Sequence, residues 1–287
     1  MIGGGVTTDR DRTRGVRRLI INADDFGFTP AVTAGILAAH AAGTVTSTSM
    51  MVHCPGWEDG VRQARATPTL GVGLHFNLLV GSPLTAAASL RNARGEYLSL
   101  GSLVRKTLRG AIRDTEVAAE CEAQLAALQG AGIRVTHIDS HRHTHALPVI
   151  RRAVAQVAAM RGLPLRRPVE SHRRFPNDIP SQVHRALIAW SWRVTSVGAP
   201  PTRAPDHFIG VSMQGGERFA ERFMKVIDTL PVGTTEMMVH PGYVDAALTS
   251  ADGYTWQRER EREALTAPEL REHLRRREIA LIGFGAL

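Results

Sequence analysis

The sequence predicts an α/β fold, a single-domain (β/α) barrel in which strands alternate with helices and close on themselves. Three observations predict it. Short apolar runs of strand type alternate with longer runs of helical period along the whole length. There are about eight short runs, the number that closes such a barrel. The chain's 287 residues also suit one barrel of this kind. An open doubly wound sheet is the alternative, but the turn after the first strand reads Ala23-Asp24-Asp25-Phe26-Gly27, not a glycine-rich phosphate fingerprint.

The predicted strands are Arg18–Ala23, Val45–Val52, Leu70–Asn77, Ile133–Asp139, Leu163–Arg167, His207–Val211, Thr235–His240 and Ile279–Phe284. Ala31–Ala42 reads as a helix, with Pro30 near its start and Gly43 just past its end. Thr115–Gln129 places acids early and apolar residues at helical spacing, and Gly130 and Gly132 follow. Leu147–Met160 is a third helix, with Pro148 in its first turn. Residues 169–205 are irregular and rich in Pro, Arg and Trp. They read as an excursion from the barrel, a lid or an oligomer contact that would allow a homodimer, with an amphipathic helix over Asp178–Ser196.

Composition narrows the function. The two cysteines, Cys54 and Cys121, form no CxxC pair and read as free buried thiols, which suits a reducing compartment. Residues 1–16 are Gly-, Thr-, Asp- and Arg-rich and lack the apolar run of a secretory signal. They are expected to be a disordered tail ahead of one domain over residues 17–287. No membrane span is expected, and the localisation expected is cytoplasmic. The net charge of +8 invites a nucleic-acid reading, but the arginines are scattered. Many alternate with Glu, as in Arg258–Glu263, which reads as a solvated helix face, so no specific nucleic-acid partner is expected.

Four polar clusters fall at the C-terminal ends of predicted strands, the rim where barrel enzymes place their chemistry. They are Asp24-Asp25, His75, the tract His137–His145, and His240. Adjacent carboxylates are costly without a compensating positive charge, which a divalent cation supplies. Near a strand end the two side chains diverge, so one Asp can bind metal while its neighbour faces a water. Asp25 could instead cap the next helix. His75 alone could be a satisfied core histidine; beside the His-rich tract it reads as a ligand. In that tract His137, Asp139, His141, His143 and His145 alternate, yet the helix expected near Leu147 ends the register, so not all five can bind one ion. His240 reads as a general acid or a supporting group.

Five ordered motifs, LIINADDFG, VTSTSMMV, GVGLHFNL, THIDSHRHTH and EMMVHPG, resemble the YdjC-type carbohydrate deacetylases, which include the chitooligosaccharide deacetylases. The similarity runs from about Arg18 to Phe284. The resemblance implies an α/β barrel that removes N-acetyl groups with one divalent metal. It implies Asp25, His75 and His141 as metal ligands, Asp24 as catalytic base and His240 as acid. Arg166 resembles a family position near the substrate, and His145 joins it as an expected substrate contact. Leu79 and His53 depart from the family pattern, and these departures are expected to alter substrate contacts.

The expected reaction is hydrolysis of an N-acetyl amide on a small amino sugar or oligosaccharide. Three protein ligands leave open metal positions for water and a carbonyl oxygen. Zn²⁺ suits two His and one Asp; Mg²⁺ and Mn²⁺ suit the hard oxygen ligand. Two other classes fit parts of the pattern. A non-haem iron oxygenase uses the same ligand count, but gives the paired Asp no role. A sugar-binding module without catalysis needs no base at Asp24.

Overall fold

In a computed structural model, residues 15–170, 179–195, 198–214 and 218–287 are described. The tail expected over residues 1–16 lies outside them except for Gly15 and Val16.

The strands are β1 (Arg17–Phe26), β2 (Ser47–Met50), β3 (Gly71–Phe76), β4 (Val135–Ser140), β5 (His207–Ile209), β6 (Gly233–Val239) and β7 (Ala280–Leu281). The helices are α1 (Pro30–Ala41), α2 (Trp57–Ala66), α3 (Leu100–Leu108), α4 (Asp114–Gly130), α5 (Ile150–Arg161), α6 (Ile179–Thr195), α7 (Phe219–Asp228), α8 (Ala246–Ala251), α9 (Trp256–Thr266) and α10 (Pro268–Arg276). All strand pairs are parallel, in the order β4-β3-β2-β1-β6-β5. β7 pairs with Arg18 and Leu19 at the start of β1, before β1 meets β2 at Asn22.

The fifth predicted strand, Leu163–Arg167, is reduced to one bridge, and Glu170 just beyond it completes the ring. Leu165 bridges Ile138 of β4, and Glu170 bridges Phe208 of β5. The result is the expected α/β barrel in irregular form. Most of β1, β2 and β3 is buried, as parallel strands covered by helices must be.

Local chemistry sets the helix ends. Thr29 caps α1 by accepting from the Val32 amide, and Pro30 takes the first helical position. α4 carries Asp114 and Glu116 in its first turn, where the helix dipole favours acids. α5 starts at Ile150, later than the sequence suggests. Leu147 precedes Pro148 and is therefore held extended (ψ 147°), so the helix cannot include it. The amphipathic helix expected over Asp178–Ser196 is α6, and both expected end residues lie outside the described set. α6 packs on the turns His141–Ala146 and Val211–Met213 and exposes Val183, Leu187, Trp190 and Val194. Cys54 and Cys121 are free and buried, as expected. Among the described residues no helix is long and apolar enough to cross a membrane.

The barrel interior is polar towards the C-terminal rim. Partners across parallel strands share a face, so the register His75–Asp139 puts both inside, with Gly73 and His137 one step below. The His137 ring stacks on Phe284 at 3.8 Å between centroids.

Candidate metal centre and active site

The two aspartates reach one cavity because β1 is irregular where they sit. Ala23 faces Thr48 and Phe26 faces Met50, so β1 holds one residue more than β2 in that interval. Asp25 absorbs the extra length with a left-handed backbone (φ 71°). In a regular strand, adjacent side chains would face opposite sides of the sheet. Here Asp24 and Asp25 both line a cavity of about 240 Å³ with His75, His141, His143, His240, Tyr254 and Arg258 among its walls.

Asp25 Oδ1 lies 3.2 Å from His75 Nε2 and 3.0 Å from His141 Nδ1. These three buried residues offer one ligand atom each, all within 4.8 Å of one another. The donor set fits a divalent cation: two imidazole nitrogens and a carboxylate oxygen converge, and among the described residues no fourth protein ligand closes the group. The surroundings favour positive charge. Burial opposes charging His75, but Asp139 at 2.7 Å, aided by Asp25 and Asp24, lifts its pKa to about 10. Asp139 faces Nδ1 of His75 and so leaves Nε2 towards Asp25.

Asp25 is steadied from behind. Arg258 donates to its Oδ2 at 2.7 Å and to Asp252 Oδ2 at 3.0 Å. Burial raises the Asp25 carboxyl, but Arg258 and the two imidazoles overcome this and hold it well below the usual range. Asp24 is held as firmly. Arg166 donates to both its oxygens, at 2.6 and 2.7 Å, while Asn22 and Ser49 donate to Oδ1. Burial raises the Asp24 carboxyl too, and Arg166 overrides it, so the group stays ionised. Among the described residues Oδ2 accepts only from Arg166, which leaves it a lone pair.

His240 directly follows β6, with its ring on the cavity. Its backbone amide donates to Glu261 Oε2 at 2.6 Å, and Tyr254 donates to Glu261 Oε1. Its Nδ1 is buried without a hydrogen-bond partner among the described residues.

The YdjC-like protein family matches residues 18–276. The chain belongs to the YdjC-like family. A carbohydrate deacetylase of Brevibacillus brevis is 34% identical to this YdjC-like chain over 272 residues, covering 94% of this chain and 99% of the relative. A chitooligosaccharide deacetylase of Yersinia enterocolitica is 31% identical over 261 residues, covering 89% and 93%. A crystal structure from Enterococcus faecalis V583, named there as a proposed cellobiose-phosphate cleavage protein, superposes with a TM-score of 0.75. It is 28% identical and covers 94% of this chain and 98% of its own.

The YdjC-like barrel brings together five of the residues singled out in sequence: Asp24, Asp25, His75, His141 and His240. Two expected substrate contacts lie elsewhere. Arg166 and His145 are each 0% exposed and do not line the cavity. Arg166 is committed to Asp24, and to Glu236 at 2.6 Å. His145 is fixed between Ser140 Oγ and the Arg166 carbonyl. His53 and Leu79 also lie off the cavity: His53 stacks on Trp57, and Leu79 packs against the core.

The His-rich tract is dealt out over several layers. β4 stops at Ser140, and Arg142 and His143 take left-handed conformations (φ 51° and 54°). His141 and His143 then reach the cavity, Asp139 backs His75, and His137 and His145 stay buried below and behind. The reading of Arg258–Glu263 as a solvated face is also corrected. Arg258 and Glu261 are 1% and 2% exposed and serve the site. The signal was present: they precede Leu265 by two turns and one turn respectively, so they share the face that this apolar residue buries.

Proposed function

We propose that the chain is a carbohydrate deacetylase, a hydrolase that removes N-acetyl groups from a small amino sugar or oligosaccharide of the chitooligosaccharide type. The observation that carries this is the convergence of Asp25, His75 and His141 on one cavity, with the ionised Asp24 beside them. The names of the relatives support the same reaction class.

Asp25, His75 and His141 would hold one divalent ion, Zn²⁺ from the imidazole content, or Mg²⁺ or Mn²⁺ from the carboxylate. Bound there, the ion supplies Lewis-acid polarisation of the acetyl carbonyl and a more acidic water. The chain's own groups do the rest. Asp24 accepts the proton of the attacking water on Oδ2, the oxygen with a lone pair to spare. Arg166 keeps that carboxylate ionised and fixes its plane. His240 gives a proton to the sugar nitrogen as the C–N bond breaks, and acetate and a free amine leave. Glu261 holds the His240 backbone so that its ring stays on the cavity.

The test is acetate release from N-acetylated mono- and disaccharides, before and after chelation, with Zn²⁺, Mg²⁺ or Mn²⁺ restored singly. Metal-restored release from at least one amino sugar is expected. Its absence across chitooligosaccharides of several lengths would overturn the reading.

A further inference from the structure

The centre contains a second, overlapping ligand set. Asp24, His75 and Asp139 also present three atoms within 4.8 Å of one another and share His75 with the first set. A neutral imidazole serves one ion, so with His75 on the first ion a second ion would rest on the carboxylates of Asp24 and Asp139. In this chain a cation already stands among the carboxylates of the second set. Arg166 Nη1 lies 2.6 Å from Asp24 Oδ2 and 2.8 Å from Asp139 Oδ2, and Nε lies 2.6 Å from Glu236 Oε1.

We infer that Arg166 is a built-in cation that fills the second metal position, limits the centre to one divalent ion and keeps Asp24 available as a base rather than a ligand. The inference rests on the metal site proposed above.

Two acidic side chains, Asp24 and Asp139, gathered at 0–2% exposure require positive charge beside them. A metal ion or a guanidinium can supply it. The guanidinium differs in two ways. It does not lose its proton under any working condition, so the position never becomes open to a metal. It also binds carboxylates through hydrogens along fixed directions, which leaves Asp24 Oδ2 a lone pair. The backbone fixes Arg166 in place: its amide donates to Ile138 of β4 at 3.0 Å, and its carbonyl accepts from His145. His145, read from sequence as a substrate contact, is thus a positioning residue for the internal cation.

The experiment counts metal. Chelated protein is loaded with excess Mn²⁺, desalted and assayed for ions per chain, and its Mn²⁺ paramagnetic resonance spectrum is recorded. The wild type should hold about one ion with an isolated-ion spectrum. Arg166→Met removes the charge at similar reach and should hold about two, with exchange-coupled signals. Adding Asp139→Asn to it should return the count to about one, and Arg166→Lys, which keeps a cation, should stay at about one. Two ions in the wild type, or one in folded Arg166→Met, would overturn this inference alone. No ion in the wild type would overturn the metal site and the inference with it. If Arg166→Met is unfolded in chelator, Mn²⁺ should restore its far-ultraviolet dichroism by replacing the lost charge; failure to do so would count against the inference.

Discussion

Asp24→Asn separates the two adjacent aspartates. Oδ1 of Asp24 accepts from Arg166, Asn22 and Ser49, whereas among the described residues Oδ2 accepts from Arg166 Nη1 alone. The amide nitrogen of Asn will therefore take the Oδ2 position and face Nη1. That guanidinium nitrogen keeps Asp139 Oδ2 at 2.8 Å, so the buried charge is not stranded. The stability cost should be that of one broken hydrogen bond, about 1–3 kcal/mol, not the roughly 3–5 kcal/mol of an uncompensated buried charge. A fall of several degrees in Tm follows. Turnover should fall by about 10²–10⁴, or about 2.7–5.4 kcal/mol in the barrier, because the base is gone. KM should change little, since a base acts in the transition state. The assay pairs acetate release with metal content per chain. Near-normal kcat in metal-bound Asp24→Asn would refute the base assignment. Loss of the metal along with activity would show instead that Asp24 is a ligand.

His75→Ala and His141→Ala should each lose bound metal by elemental analysis, and full occupancy in both would sink the ligand set. Gly73→Ala should cost about 1–3 kcal/mol, because its Cβ would enter the His137 ring, which Phe284 prevents from retreating. Adding His137→Ala should recover part of that loss in a double-mutant cycle, and strict additivity of the two would refute the clash. Stability should also fall in acid. Burial lowers the pKa of His137 from 6.5 to about 4 and that of His145 to about 3, so the unfolded chain binds protons that the folded one refuses. Their contribution is complete above 6.5 and is lost as pH falls through those values. Glu236, raised by burial from 4.5 to about 8, works the other way, losing stability as pH rises between those values. Two histidines against one carboxyl leave a net fall in urea midpoint below 6.5, and a flat profile there would contradict the burial argument.

Much of the centre was legible because its residues interrupt apolar strands at one end, where period and polarity conflict. Asp24, Asp25, His75, His141 and His240 all gave that signal. The strands themselves were legible for the same reason, though Leu163–Arg167 survives only as the bridge from Leu165 to Ile138. What escaped was long-range charge pairing. Nothing local to Arg258 says that its guanidinium ends on Asp25, 233 positions away, and nothing local to Arg166 says that it lies under Asp24. A charged helix looks solvated until its buried apolar residues, Ala264 and Leu265 in α9, show which face is covered. The layering of the His-rich tract escaped too, because left-handed turns at Arg142 and His143 carry no glycine to announce them.

The extra residue in β1 bears on any attempt to transplant this centre. Copying Asp-Asp onto the end of a regular strand would send one carboxylate inward and the other out among the surrounding helices. What must be transferred is the pair together with its insertion: three backbone steps from Ala23 to Phe26 opposite two from Thr48 to Met50, and a left-handed Asp25 between them. For the same reason, deleting one residue from Ala23–Phe26 would leave the strand paired and the barrel covered while separating Asp24 from Asp25. Such a chain would fold around a centre that no point substitution could restore.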